Sequence, residues 1–259
     1  MNETYSIHTI KNAMNILKLF TKENPEWKLS EISKQLHLNI STTKRLLVTL
    51  EDYGYILRDS QSKRYRLGYM FLHLSEIITT TMEIRKEARP VLEELVQKLD
   101  EAVHVHLGVL EGTDIAYLDK IESKHPIRLN SHIGKRNPSY CTACGKIMLA
   151  YQKEEKREKL VKKIEENGIV RYGQNTVASA HELITQLKEI QKQGFAICID
   201  EFYQGISIGA PVYDYTNEVI AAISVTGRSN RIAKEDIPYF TQEVIRAAKK
   251  LSKMLGYFN

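Results

Sequence analysis

The sequence predicts a two-domain α+β protein: an N-terminal winged helix-turn-helix over residues 1–68, a linker helix over 69–81, and an antiparallel sheet flanked by helices over 82–259. Three observations carry this. Residues 29–67 read as two short amphipathic helices followed by a basic hairpin. Residues 69–81, YMFLHLSEIITTT, are apolar around much of a helix's circumference. Beyond them, strand-like runs come in two groups separated by helical segments, the order of an antiparallel sheet with helices outside. At 259 residues the chain is long enough for two domains, each burying its own core.

Taken in order, Ile10, Met14, Leu17 and Phe20 recur at helical spacing and predict a first helix whose apolar positions are core, with Trp27 covering its end. Leu29, Ile32 and Leu36 give residues 29–37 one apolar face. Ser30 is the expected N-cap, Glu31 sits where the helix dipole favours an anion, and Asn39 is expected to end the helix in a left-handed conformation. Ser41 is the next N-cap candidate. Leu46, Leu47 and Leu50 supply a second buried stripe, and Gly54 its stop. The first turn of this second helix carries Ser41, Thr42, Thr43, Lys44 and Arg45. Short hydroxyls and long cations there suit phosphates and base edges in a major groove. Tyr55–Leu57 and the return strand Lys63–Arg66 form a hairpin about Asp59-Ser-Gln-Ser, and Lys63, Arg64 and Tyr65 are expected along the phosphate backbone. Residues 1–75 hold 11 Lys/Arg against 7 Asp/Glu, a net +4, and the remainder holds 26 against 25. Charge concentrated in this way is an electrostatic footprint for nucleic acid.

A connector as apolar as Tyr69–Thr81 should be buried, and the natural partner is the same helix in a second copy. A twofold dimer also presents two recognition helices to a pseudo-palindromic DNA site. The Thr79–Thr81 run is a poor helix former and marks a hinge or break. In the second domain, Ile84–Leu99 is a helix in which Pro90 kinks the chain or opens a new first turn. Strands are expected at His104–Leu110 and Asp114–Ile121 about a Gly112-Thr-Asp turn, at Ile127–Asn130, Phe195–Ile199, Gly209–Tyr213 and Val219–Thr226, with Asn217 in a loop. Helices are expected at Thr142–Tyr151, Glu155–Asn167, His181–Gln193 and Lys234–Leu255. Unpaired amides where the helix begins near Thr142 suit a carboxylate. Ser224 and Thr226, two apart, share one face of the sheet.

Several function classes are disfavoured. No apolar run of about 18 residues is present, and the N-terminus lacks a basic-then-apolar leader pattern. Three cysteines, an odd number, argue against a disulfide framework and fit a reducing cytoplasm. Cys141-x-x-Cys144 has metal-ligand spacing, and Cys198 with His104 or His106 could join it. Without a second such pair or a nearby His pair, neither a metal nor another cofactor is expected. No Gly-rich phosphate loop, HExxH or GxSxG occurs, so no enzyme is expected. His104 and His106 share one face of a strand and read as core or pocket wall.

The whole chain resembles the IclR family of transcriptional regulators. The resemblance is carried by Ser30-Glu31-Ile32, Ser41-Thr42, Arg45-Leu46-Leu47, Leu50-Glu51, Gly54-Tyr55 and Tyr65-Arg66-Leu67-Gly68 in the first domain. In the second it is carried by Ala88-Arg89-Pro90-Val91-Leu92, Thr142-Ala143, Gly145-Lys146, Ala210-Pro211-Val212 and Ala221-Ala222-Ile223-Ser224-Val225. It implies a GAF/PAS-like effector domain, a dimer or dimer of dimers, operator DNA, and a small organic acid from carbon catabolism that changes operator affinity. It places an effector site at Thr142, Ala143, Cys144, Asp200, Ser207, Ser224 and Thr226, with Cys198 and Glu201 nearby. The expected role is a ligand-responsive regulator, a repressor of a carbon-catabolism operon. The alternative is a DNA-binding regulator whose second domain is a ligand-free dimerisation module or a metal sensor.

Overall fold

The first helix, α1, spans His8–Lys18 and buries a stripe slightly rotated from the expected one. Ile16 is fully buried, with Ala13, Leu17 and Phe20 packed beside it. Ile10 and Met14, expected in the core, are 55% and 48% exposed. Positions 13, 16, 17 and 20 follow the i, i+3, i+4, i+7 pattern, and a stripe through them leaves 10 and 14 at its outer edge. Trp27 does cover the helix end, its Nε1 donating to Leu19 O at 3.1 Å. This computed structural model describes residues 7–21, 23–81, 83–99, 103–123, 131–229 and 232–258. It divides into two compact units, Met1–Met82 and Glu83–Asn259.

In the first unit, α2 is Leu29–Gln35 and α3 is Ile40–Asp52. Three expected caps are corrected. The N-cap of α2 is Lys28 rather than Ser30, because the Lys28 N–H donates to the Glu31 carboxylate at 2.8 Å. That bond satisfies the cap from the backbone and needs no serine hydroxyl. The left-handed residue after α2 is His37, with φ 52°, not Asn39. Asn39 is extended and is the N-cap of α3 in place of Ser41, its carbonyl accepting the Thr43 N–H at 2.9 Å. Ser33 Oγ donating to Leu38 O (2.6 Å) ties the turn so tightly that α3 starts earlier than the hydroxyl pattern implies. Gly54, at φ 73°, ends α3 as expected; a side chain is strained there. The wing is β1 (Ile56–Arg58) paired antiparallel with β2 (Tyr65–Leu67). Asp59 holds its turn by accepting the Ser62 N–H and hydroxyl at 2.6 and 2.7 Å. Trp27 pairs with Tyr65 as an extra bridge. Helix α4, Met70–Thr81, includes the Thr79–Thr81 run and ends there. Within one chain its Leu72 and Leu74 are 69% and 36% exposed, so the expected burial is not met by this chain alone. Met82, the expected start of the second domain, lies outside the described residues.

The second unit opens with α5, Glu83–Lys98, which carries Pro90 inside it. Strands β3 (His104–Glu111) and β4 (Asp114–Ile121) follow, joined at Gly112-Thr113. The strand expected at Ile127–Asn130 lies outside the described residues. A short β5, Arg136–Pro138, was not expected. Helices α6 (Ala143–Ala150), α7 (Glu154–Glu166) and α8 (Ala180–Gln193) come next. Then come β6 (Ala196–Ile199), β7 (Ile206–Tyr213), β8 (Val219–Gly227) and α9 (Ile237–Met254). The strands form one antiparallel sheet in the order β5-β4-β3-β8-β7-β6. Alternation along β7 and β8 divides the core in two. Ile206, Ile208, Ala210, Val212, Ala221, Ile223 and Val225 face Leu92, Leu95, Val244 and Leu251 of α5 and α9. The opposite face carries α6, with α7 and α8 packed behind it.

Pairing of β3 with β4 slips by one between Leu107 and Gly108, leaving Leu118 unpaired on β4. A bulge re-aims the residues beyond it. Tyr117 therefore faces the α6 side, while Asp119, two residues on, reaches the α5 side and accepts from Arg89 at 3.0 Å.

Candidate functional site

Each unit presents one candidate surface. In the first, Ser41, Thr42, Lys44 and Arg45 are exposed on the first turns of α3, and Lys63 is exposed at the wing turn with φ 57°. Two expected contact residues are not on this surface. Thr43 is fully buried, its hydroxyl donating to Asn39 O at 3.0 Å, because its helical position faces α2 with Leu46 and Leu47. Tyr65 is 3% exposed and belongs to the core with Ile56, since the pleat of β2 points it inward. Arg64 is half-buried and already engaged, donating to Glu26 O at 3.3 Å and lying 3.5 Å from the Glu31 carboxylate. Arg58 and Arg66 are exposed wing cations, their guanidiniums 5.4 and 5.8 Å from the Tyr65 and Tyr69 ring centres. Arg58 was missed because it sits on the outgoing strand, where only the return strand looked basic.

In the second unit, the N-terminal turn of α6 seats on the sheet and leaves a small, partly open cavity of about 40 Å³. The approach is close: a Cβ on Gly209 would lie 3.1 Å from the Ala143 backbone, so any side chain there would push α6 off β7 by a few tenths of an ångström. Sheet register brings the remaining side chains together. Cys198, Ser207 and Thr226 stand in one row across β6, β7 and β8, and Ser224 stands opposite His106 in another. Thr142, Ala143, Cys144, Ser207, Ser224 and Thr226 line the cavity together with Cys198. Asp200 does not line it. It borders a separate open cleft, its carboxylate accepting from Ser229 Oγ at 3.1 Å and Gln174 Nε2 at 3.2 Å. The turn after β6, with Asp200 at φ 51°, points its side chain outward.

Sequence reasoning missed Tyr117, Asn137 and Ser131, and had His106 only as pocket wall. No local motif marks them; the bulge in β4 brings Tyr117 to the cavity, the short β5 brings Asn137, and Ser131 reaches it from the segment before β5. Asn137 Nδ2 donates to the Tyr117 hydroxyl at 3.4 Å, and His106 Nε2 lies 3.0 Å from Ser131 Oγ. The His106 Nδ1 is buried with no hydrogen-bond partner among the described residues. Burial, then His104 and Lys120, hold its pKa down at about 3, so the ring is neutral.

The Lys146 N–H donates to Thr142 O at 2.8 Å, the first amide of α6 to bond back into the helix. The preceding amides have no intrahelical acceptor and carry the positive end of the helix dipole. The Cys144 thiol donates to Ser224 Oγ at 3.1 Å, and burial pushes its pKa up to about 12. Cys141 turns the other way, toward Pro138 O at 3.8 Å, so the Cys-x-x-Cys pair does not converge. Among the described residues no three His, Cys, Asp or Glu side chains come together as a metal site. Lys146, next to the cavity, is consumed by Glu201 and Gln186, to both of which its Nζ donates. The described lining therefore carries hydroxyls, thiols, an amide and a neutral imidazole, and no charged side chain.

Residues 77–253 match the model of the bacterial transcriptional regulator IclR C-terminal domain, and residues 9–60 match the IclR helix-turn-helix domain. The regulator XynR of Escherichia coli is 32% identical over 252 residues, spanning 97% of this chain and 98% of its own. The Thermotoga maritima IclR crystal structure superposes with a TM-score of 0.75 at 26% identity, covering 97% of this chain and 100% of that one. An IclR homolog from Microbacterium hydrocarbonoxydans, crystallised with 4-hydroxybenzoate, superposes with a TM-score of 0.82 at 21% identity over 95% of this chain and 98% of that one, a likeness of fold. No helix among the described residues is long and apolar enough to cross a membrane.

Proposed function

The chain belongs to the IclR family of bacterial transcriptional regulators, and from that premise we propose a switch in which a small organic acid in the α6 cavity changes the affinity of the helix-turn-helix for its operator. It is a DNA-binding transcriptional regulator rather than an enzyme. The effector reading rests on one observation: a lining without charged side chains gathered at the N-terminal turn of α6, whose first amides have no acceptor within the helix. Such a site accepts a single carboxylate through the helix terminus and reads the rest of the ligand by hydroxyl contacts. The 4-hydroxybenzoate carried by the Microbacterium homolog is an acid of this class.

Ser41, Thr42, Lys44 and Arg45 read the major groove, and Lys63 with Arg58 and Arg66 tracks phosphates. Two copies associate through the exposed apolar residues of α4, so that paired α3 helices meet a twofold operator. The effector acts by population shift: it moves the operator-bound fraction by its differential affinity for two states, and no more. The regulatory sense is repression of a carbon-catabolism operon, as the family resemblance implies.

The test is a thermal-shift screen of the full chain against small 2-oxo acids, 4-hydroxybenzoate and sugar acids. A saturable rise in Tm for one acid, with a change in operator affinity at the same concentrations, is the expected result. Acids that leave both unchanged would instead support a ligand-free second domain.

A further inference from the structure

At about 40 Å³ the cavity is well below the ~150 Å³ that holds a benzene-sized guest. To take an organic acid of that size, one wall has to move. The sheet side is fixed by ladder hydrogen bonds, and α6 is buried along its whole length. The β6–β7 loop, residues 200–205, is built differently. Its base is fastened: the Asp200 N–H donates to Gly205 O at 2.8 Å, Thr176 Oγ1 donates to Glu201 O at 2.6 Å, and Lys146 holds the Glu201 carboxylate. Its tip is held by side-chain packing: Phe202 rests against the α6-side core, and Tyr203 makes ring contacts. The Phe202 and Tyr203 rings lie 4.5 Å apart and tilted by 52°, and they meet the Tyr172 ring edge-on at 5.1 and 6.4 Å. Tyr203 sits at φ 61°, a left-handed conformation unfavourable for a side chain, and is 47% exposed.

Tyr203 also borders two spaces at once. On one side is the small cavity, and on the other a wide cleft of about 880 Å³ bordered by Gln174, Asp200 and Arg228. Arg228 is exposed there and has no ion pair among the described residues. We propose that Phe202 and Tyr203 form a gate between cleft and cavity, swinging on the fixed base at Glu201 and Gly205, and that an anionic ligand enters past Arg228. The ligand part rests on the effector reading above; the gate itself is tested without any ligand.

Cys144 and Cys198 line the cavity, whereas Cys141 is buried away from it, so the chain carries its own reporters and control. The experiment is N-ethylmaleimide labelling of the full-length wild type, Tyr203→Ala and Tyr203→Phe, with each cysteine followed by mass spectrometry. Tyr203→Ala should label about tenfold faster at Cys144 and Cys198, the effect of losing its ring contacts, with Cys141 unchanged and Tyr203→Phe near wild type. In the wild type, labelling of Cys144 and Cys198 should be nearly independent of sub-denaturing urea, because a swinging tip exposes little surface, while Cys141 follows global unfolding. Unchanged rates in Tyr203→Ala, an equal rise at all three cysteines, or one shared urea dependence would each overturn the gate. A failed acid screen alongside selective labelling would remove the effector and keep the gate.

Discussion

Lys146 on α6 and Glu201 on the β6–β7 loop form an ion pair that solvent barely reaches, with side chains 2% and 7% exposed. Each charge is tolerable only because of the other. Lys146→Met should cost about 3–5 kcal/mol in urea unfolding, since it strands a buried carboxylate. Pairing it with Glu201→Gln should recover most of that loss. A single-variant loss below about 1 kcal/mol would mean that water reaches Glu201.

Arg45→Ala should weaken binding to an operator duplex selected from a random pool by about 1–3 kcal/mol. Lys63→Ala should weaken all duplexes alike and lower the salt slope by about 1. Fluorescence anisotropy against salt separates the two. Equal losses on operator and random DNA for Arg45→Ala would make it a phosphate contact.

Ser224→Val removes the hydroxyl that meets the Cys144 thiol and fills part of the cavity. It should raise the effector concentration for half response about tenfold, with operator affinity in the absence of effector unchanged. An unaltered dose response would move the effector elsewhere.

His106 gives the second unit an acid-sensitive stability. Its folded pKa, about 3, lies below the ordinary 6.5, so the unfolded chain takes up the proton first as pH falls. The contribution is intact above the unfolded value and is lost progressively between pH 6.5 and about 3. At pH 5 the loss is about 2 kcal/mol. His106→Asn should flatten this slope in urea midpoints taken at pH 7 and pH 5. An identical slope in both proteins would place the titrating group elsewhere.

Leu72→Glu with Leu74→Glu charges the exposed apolar side chains of α4. The variant should sediment as a monomer and lose affinity for a two-half-site operator, while each unit keeps its unfolding midpoint. A sedimentation coefficient equal to wild type would shift self-association away from α4.

Periodicity was enough to find every α-helix among the described residues, but not always its buried side: in α1 the stripe turns away from Ile10 and Met14. It was not enough to tell Thr42 from Thr43: one residue is 100° of helix, and that rotation separates solvent from core. Caps were misplaced where the backbone satisfied itself, as Lys28 does through Glu31. In the cavity, hydroxyls and thiols on β6, β7 and β8 were legible because alternation fixes their face. Tyr117 and Asn137 were not, since they arrive through the β4 bulge and a three-residue strand ending in proline; nor was Ser131, which lies on no strand. Asp200 looked like a pocket residue by position; a left-handed turn takes it outside.

The unpaired Leu118 has a consequence for the electrostatics around His106. In a regular β4 the pairing would run on without a slip, Leu118 opposite Leu107 and Asp119 opposite His106. With the bulge, Lys120 takes that place, its Nζ donating to Ser131 O at 2.9 Å, while Asp119 is turned to the arginines of α5. A carboxylate beside His106 would pull its pKa up, against the burial that holds the ring neutral. The ammonium placed there adds to the effect of burial, so a single extra residue in one strand sets the sign of the charge beside a histidine on the neighbouring one.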